Sequence, residues 1–549
     1  MRTELGTRLL TQHPTSLWSR EAAVPNGRLN RQPDVIRISE TPLPAQTEIV
    51  DVFSTEHLQP DLKTRSIRGG LLTLGSQGAQ FLLQSISTVV MARLLTPADF
   101  GLVAMVTAVT GLGQAFADLG LSEATIQREK ISHQQVSTLF WINVGIGVLL
   151  MLITIALAPV LSWFYHDPRL KLITLVLSVT FLIGGLKVQH DALLRRQMRF
   201  SSLAIRDVAS YILAVPLAII LAWRGAGYWA LVTFPLALNG TALLLCWLMT
   251  RWVPGWPRRD AKVGSLIVFG ANVAASYLIA NTTRSSDAVL IGWHWGAGPL
   301  GLYSRAYNLL LLPVRQLSAP ASRVAVPALS RTQHEPERFA RYYLGAINLI
   351  MWIGTPVFAF LFVAAEPVIV LTLGNQWREA APVFQILAIS ALAQLIFDST
   401  IWVFVSRGES KRLLKLLVII SPIMFASFAI GLPSGIKGVA LSGSLTLVAI
   451  FPWILKVAYR GTGLTLRRLG EAMLCPVFLS LLAVGSAEAV SGLFGPSTIA
   501  ARLLKSALGF AAPYLLSAFI PKVRKEFGSL YALAKHRRFT AGEASELTT

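Results

Sequence analysis

From Gly69 onward the chain alternates apolar stretches of about 18–25 residues with short polar joints, and about 20 apolar residues is what an α-helix needs to cross the hydrocarbon core of a bilayer. Inside lipid the backbone groups must find their partners within the spanning element itself, which leaves helices as the natural solution for stretches of this length. Fourteen such stretches are read between residues 69 and 520. The expected fold class is therefore an all-α membrane protein of about 14 transmembrane helices. Composition points the same way: hydrophobic residues make up 53% and charged residues 14% of the 549, with mean hydropathy +0.57. That is too little charge to cover the three or four soluble domains such a length otherwise suggests.

The net charge of +21 raises the question of nucleic acid, and the placement of the charge answers it. With the N-terminus inside, twenty-nine Lys and Arg fall in inner joints and the C-terminal tail, against eight on the outer side. A bias of that size, spread over seven inner segments, sets the orientation, with both termini cytoplasmic in the inner membrane of a bacterium. The excess charge then faces anionic cytoplasmic lipid, and no nucleic-acid partner is expected. The outer joints are short, so a soluble catalytic domain has no room in them. No enzyme activity is expected.

The chain divides near residue 260. Expected segments are a disordered cytoplasmic leader at 1–66, an N-terminal six-helix bundle at 67–250 and a cytoplasmic linker at 251–263. A C-terminal six-helix bundle at 264–460, two additional transmembrane helices at 461–520 and a basic cytoplasmic tail at 521–549 complete the order. The leader is polar, rich in Pro, Ser and Thr, and lacks the apolar region of a signal peptide. A shift of 200 positions lays VVMARLLTPADFGLVAM (89–105) over VLIGWHWGAGPLGLYSR (289–305), with Ser85/Ser285, Val89/Val289, Gly101/Gly301 and Leu102/Leu302 coinciding. Each half begins on the cytoplasmic side, so the two copies share a topology. Repeats related in this way suit alternating access, with the site between the halves.

Ionisable groups within spans cost free energy, roughly 2.5–3.5 kcal/mol each on insertion scales, and are functional candidates for that reason. Asn281, Arg284 and Asp287 are spaced i, i+3, i+6 along one helix face. Arg284 and Arg305 each stand about ten residues from a turn near 295, so both lie ~15 Å below the outer surface at 1.5 Å per residue. Arg315 lies deeper. Together they suggest a cationic wall in a central cavity, and the planar fork of arginine suits phosphate. The plainer alternative pairs Arg284 with Asp287, and Arg305 with a carbonyl or with Asp398. Asp118, at a helix end near Arg128, is either an ion-linked carboxylate or a simple helix-end residue. His133, His166, His190 and His294 fall in joints without metal-ligand spacing, and no metal or cofactor is expected. Cys246 and Cys475 lie in apolar runs and are expected to be small core residues. Trp163, Tyr165, Trp252, Trp256, Tyr342 and Trp377 are expected as interfacial anchors. A Walker-type phosphate loop is missing from the sequence, so ATP bound to this chain is not the expected energy source.

Several ordered motifs also resemble a known family. LLTPADFGLVAMVTAVTGLGQAFADLGLSEATIQRE (94–129), DAVLIGWHWGAGPLGLYSRAYNLLLLPV (287–314), LSAPASRVAVPALSR (317–331) and LTLGNQWREAAPVFQILAIS (371–390) are similar to segments of the polysaccharide transporters. These form the lipopolysaccharide and exopolysaccharide flippase family of the multidrug/oligosaccharidyl-lipid/polysaccharide exporter superfamily. The resemblance covers about residues 67–460. It implies two pseudo-symmetric bundles around a central cavity, and flipping of a polyprenyl-pyrophosphate-linked oligosaccharide for polysaccharide biosynthesis. Asp287 matches the family pattern, whereas Arg284 departs from it and is this chain's own feature. On that reading Arg284, Arg305 and Arg315 take the pyrophosphate, Tyr303, Tyr307 and Asn281 meet the headgroup nearby, and Asp287, Asp118 and Asp398 couple an ion or gate the cavity. A polysaccharide polymerase and a chain-length regulator are the partners implied, beside membrane lipid.

Two rival functions make different demands. A multidrug or cation antiporter of the same superfamily calls for a carboxylate-rich site, and a membrane-embedded polymerase or ligase calls for a large outer loop bearing polar catalytic residues. Glycosyltransferases and a chain-length regulator encoded beside this chain favour polymer export, and a lone transcriptional regulator favours drug efflux.

Overall fold

The computed structural model describes residues 62–114, 121–128, 131–257, 285–493, 498–517 and 519, and among these the regular structure is helical, without strands. Asp118, Asn281 and Arg284 lie outside the described residues, as do residues 1–61 of the expected leader, 258–263 of the linker and the tail at 521–549.

The first half comprises α1 (Leu62–Leu94), α2 (Pro97–Gln114), a short α3 (Leu121–Gln127), α4 (His133–Phe164), α5 (Arg169–Arg196), α6 (Phe200–Trp223) and α7 (Tyr228–Thr250). The second holds α8, described over 285–295, then α9 (Ala297–Arg331), α10 (Pro336–Val363), a short α11 (Ala365–Leu373), α12 (Ala381–Ser406), α13 (Ser410–Gly431) and α14 (Gly435–Tyr459). The pair α15 (Leu466–Leu493) and α16 (Ile499–Ser517) follows. Among the described residues nine helical segments are long and apolar enough to cross a membrane, one of which, Ser410–Tyr459, contains both α13 and α14. Every expected span that is described falls on a helix. The helices run past the apolar spans: α9 has 35 residues, roughly 50 Å at 1.5 Å per residue, against a hydrocarbon core of about 30 Å.

Local signals explain where the helices start and stop. Thr96 precedes Pro97, its hydroxyl accepts from the Asp99 amide at 3.3 Å, and Asp99 accepts from the Thr96 amide at 2.9 Å, a capping box at the head of α2. Ser132 and Gln135 do the same for α4. Proline interrupts many of the long helices, and α9 carries three, Pro313, Pro320 and Pro327. Each removes a ladder donor, which transmembrane helices tolerate where neighbours or a cavity satisfy the freed carbonyls.

In the first half α4 packs on α5, α6 on α7 and α1 on α6; in the second α9 packs on α12 and α10, and α12 and α13 on α14. The α15–α16 pair lies against α10 and α11. The halves meet where α2 packs on α9. There the repeat becomes visible as geometry. A side chain at Gly101 would run into the Ala297 carbonyl, and one at Gly301 into the Pro97 carbonyl. Positions 97 and 101 are the counterparts of 297 and 301 under the 200-residue shift, so the contact is reciprocal, as a twofold relation requires. Phe164 of α4 also stacks on Trp293 of α8, with centroids 6.2 Å apart. Both contacts lie at the ends assigned by charge to the outer side.

Replacing Gly301 by Val is expected to force the two helices apart, at about 1–3 kcal/mol for an overpacked contact. The thermal midpoint of the solubilised protein should fall for Gly301→Val and hold for Gly298→Val, where a side chain meets open space. Equal midpoints would remove the tight contact from the fold.

Candidate functional site

Two cavities flank α9. The first lies between α1 and α9, has a volume of about 140 Å³, and is lined by Gln84, Ser85 and Thr88 from α1 and by Arg305, Asn308 and Arg315 from α9. The Arg305 guanidinium sits over the Phe100 ring of α2 at 4.0 Å from its centroid. A guanidinium held by its face keeps its in-plane N–H donors available, so the contact steadies the charge without using up its hydrogen bonding. Among the described residues, neither partner expected for Arg305 from the sequence, a carbonyl or Asp398, takes that place.

The second cavity, about 190 Å³, is enclosed by α8, α9, α12, α13 and α14, and its polar groups include Asp287, Tyr303, Tyr307, Ser390 and Gln394. Asp287 is buried; it accepts from the Tyr303 hydroxyl at 2.8 Å and from the Ala288 amide at 2.7 Å. The Tyr303 and Tyr307 rings stack with centroids 6.3 Å apart. Asp398 accepts from Gln394 at 2.8 Å and from Ser318 at 3.4 Å. Leu311 lines both cavities and stands between them.

The structure therefore divides the candidates expected from the sequence. Arg305 and Arg315 share one cavity; Asp287, Tyr303 and Tyr307 share the other, with Asp398 behind its Gln394 wall. The tyrosines do not stand beside the arginines, because α9 presents them on a different face. Among the residues read as interfacial anchors, Trp163, Trp256 and Tyr342 are exposed, whereas Tyr165, Trp252 and Trp377 are buried and serve inside the protein.

Three polar assemblies escaped the sequence reading. At the end of the first half assigned by charge to the inner side, Arg206 of α6 is buried between Asp191 and Asp207. Gln80 of α1 donates to Asp207 at 3.4 Å, and Lys187 donates to Asn239 of α7 at 3.2 Å. The i, i+4 pair Asp191–Arg195 was the available signal, hidden by assigning these residues to a loop. Nearby, His190 belongs to α5 rather than to a joint: it is fully buried, stacks on Trp247 at 4.5 Å, and its Nε2 is 3.3 Å from the Trp252 carbonyl. Trp141 donates to the Gly255 carbonyl at 2.9 Å, and the Gly255 amide donates to Ser137 at 3.0 Å. The described start of the linker is thereby pinned to the first half.

The third assembly joins the halves at the ends assigned by charge to the outer side. Trp377, in a 3-10 turn at Asn375–Ala380, is fully buried and donates its indole N–H to the Ala92 carbonyl at 2.7 Å. Gln376 donates to the carbonyls of Ala92 at 2.6 Å and Leu95 at 3.0 Å. In return Arg93 donates to the carbonyls of Leu371 and Thr372 at the end of α11. Arg93 of α1 thus caps carbonyls at the end of α11, and the 3-10 turn that follows α11 caps carbonyls at the end of α1.

Paired helical halves with polar cavities beside their junction define a polytopic membrane protein of two-half architecture. The solved fold agrees: over 82% of this chain and 99% of the other, the lipid II flippase MurJ in its inward closed conformation superposes with a TM-score of 0.66 at 13% identity. The family described as polysaccharide biosynthesis protein matches residues 90–382, and the chain belongs to it. It is 25% identical to the teichuronic acid biosynthesis protein TuaB of Bacillus subtilis over 64% of this chain and 73% of that protein. It is also 25% identical to the succinoglycan biosynthesis transport protein ExoT of Rhizobium meliloti, over 60% of this chain and 66% of that protein.

Replacing Trp377 by Phe and Gln376 by Leu keeps bulk but removes three donors from α1. In a background freed of Cys246 and Cys475, a cysteine at the buried position Leu95 is expected to react about tenfold faster or more with an impermeant maleimide added outside, given about 1 kcal/mol per lost hydrogen bond. Unchanged labelling would show that this cap does not hold the outer end shut.

Proposed function

We propose that this chain flips a polyprenyl-pyrophosphate-linked oligosaccharide from the cytoplasmic to the outer face of a bacterial inner membrane, by alternating access, for polysaccharide biosynthesis. The observation that carries the reading is the cavity between α1 and α9, where Arg305 and Arg315 stand beside Gln84, Ser85, Thr88 and Asn308. Two guanidiniums offer paired donors to pyrophosphate, and the hydroxyls and amides around them suit a hydrated headgroup. The prenyl tail stays in lipid, so only the headgroup has to pass about 30 Å of hydrocarbon. Arg284 and Asn281 complete the contact set on the sequence reading. Asp287, one leucine away across α9, is the carboxylate proposed to couple an ion or gate the cavity, with Asp118 and Asp398. The closed outer end corresponds to the stage that receives substrate from the cytoplasmic side, and rocking of the halves then releases it outward. On this reading both termini lie in the cytoplasm, and a polymerase and chain-length regulator act on the product.

Arg305→Ala is expected to abolish polymer export while the protein still reaches the membrane. Arg305→Lys should recover only part, because a point charge lacks the bidentate fork. Loss of one charge-assisted pair, about 1.5–3 kcal/mol, corresponds to a roughly ten- to hundredfold weaker headgroup complex. Polymer yield in a strain lacking the native gene, normalised to protein in the membrane fraction, checks this. Normal yield from Arg305→Ala would sink the assignment.

A further inference from the structure

The α15–α16 pair stands outside the twofold repeat, and its outer end is tied to the second half by charge. Glu366, in the first turn of α11, accepts from Arg378 Nε at 2.8 Å through one oxygen and from Arg502 Nη1 of α16 at 3.1 Å through the other. The hydrogen bond from Arg378, followed by the charges of Arg502 and Arg378, outweighs burial and holds the Glu366 carboxyl below its usual range. Between these side chains and the head of α12 lies a polar cleft of about 400 Å³, with Gln385, Glu488 and Ser491 on its walls.

Glu366 alone serves two guanidiniums, each with five N–H donors, and Glu488 is the other carboxylate on the cleft wall. The Arg502 Nε is buried and has no acceptor among the described residues. A buried donor left in this state is costly unless a ligand or water completes it. The missing component is an acceptor-rich anion small enough to bridge two guanidiniums, and a phosphate ester has that form. Its source follows from position. Arg378 and Arg502 fall on the outer side by the charge assignment, and the neighbouring faces of α15 and α16 expose Leu493, Leu504 and Leu508, a surface suited to acyl chains.

We propose that this cleft binds the phosphodiester headgroup of an outer-leaflet phospholipid, with Arg378 and Arg502 as the phosphate ligands and Glu366 as the charge that the lipid must share them with. The bound headgroup bears on α11, whose far end is held by Arg93 of α1. A lipid in the cleft is thereby in mechanical contact with the element that closes the outer end.

The test uses the full-length protein, delipidated in detergent, with phosphatidylethanolamine added and the lipids retained per chain counted by native mass spectrometry. One tightly held phosphatidylethanolamine is expected, with the phosphate-free diglucosyl diacylglycerol not retained and with inorganic phosphate unable to replace the lipid. Arg502→Ala and Arg378→Ala should each weaken retention about tenfold or more, as loss of a charge-assisted contact requires. Glu366→Gln should strengthen it, since it frees both guanidiniums; a merely structural ion network predicts lower thermal stability for all three variants and no gain for any. Equal retention of the neutral glycolipid, binding of inorganic phosphate in preference to lipid, retention unaffected by both arginine substitutions, or weaker retention in Glu366→Gln each overturns the proposal.

Discussion

Two glycines let the halves touch. Between helices immersed in lipid the hydrophobic effect gives little net attraction, since lipid tails are as apolar as leucine. Association there depends on backbones coming close enough for dispersion and polar contacts, and Gly101 and Gly301 permit that approach at the heads of α2 and α9. The contact is made twice, once by each copy of the repeat, so a single geometric requirement is satisfied symmetrically. What surrounds it is less symmetric. The junction of α1 with α11 is polar, through Arg93, Gln376 and Trp377, whereas Trp293, the counterpart of Arg93, stacks on Phe164 of α4. The end assigned by charge to the outer side therefore combines a symmetric steric contact with an asymmetric set of hydrogen bonds.

The division of polar groups between two cavities follows from the same asymmetry. The first-half counterparts of Arg305 and Asp287 are Met105 and Ser87, so both the cationic and the carboxylate positions belong to the second half alone. The first half carries its own buried charge elsewhere, around Arg206. Leaving an arginine in such a place is costly when it has no partner, and removing one member of a buried set is strongly destabilising. Arg206 meets that requirement with two carboxylates, whereas Arg305 meets it with an aromatic face and a small polar cavity.

Helix positions were the most readable feature of the sequence, because apolar length is set by bilayer thickness and the caps at Thr96 and Ser132 use local rules. The Gly101/Gly301 match was readable too, although its meaning as a close backbone approach needed coordinates. What stayed hidden was the direction of each side chain. Tyr303 and Arg305 are two residues apart, which on a helix puts them on different faces, so proximity in sequence gave the wrong neighbourhood. Trp377 has the composition signature of an interfacial anchor, and only its burial against α1 reveals a donor that caps a helix end. His190 was placed in a joint because the apolar stretch ends near Lys187, yet α5 continues to Arg196. For Trp377 and His190 a distant partner, the Ala92 carbonyl and the Trp252 carbonyl, decided the role.

One helix gathers these requirements. Gly301 near the head of α9 sets the contact between halves, Tyr303 and Tyr307 face the carboxylate cavity, and Arg305 faces the cavity shared with α1. Arg305 belongs to the second half and Phe100, the ring beneath it, to the first. Any motion that parts α2 from α9 takes the ring away from the guanidinium and changes the surroundings of its charge. A ligand shifts a conformational equilibrium only through different affinity for the two states. A guanidinium whose stacking partner is carried by the opposite half supplies such a difference without a separate signalling element, and the three prolines further along α9 leave its inner portion less tied to the ladder that would otherwise resist bending.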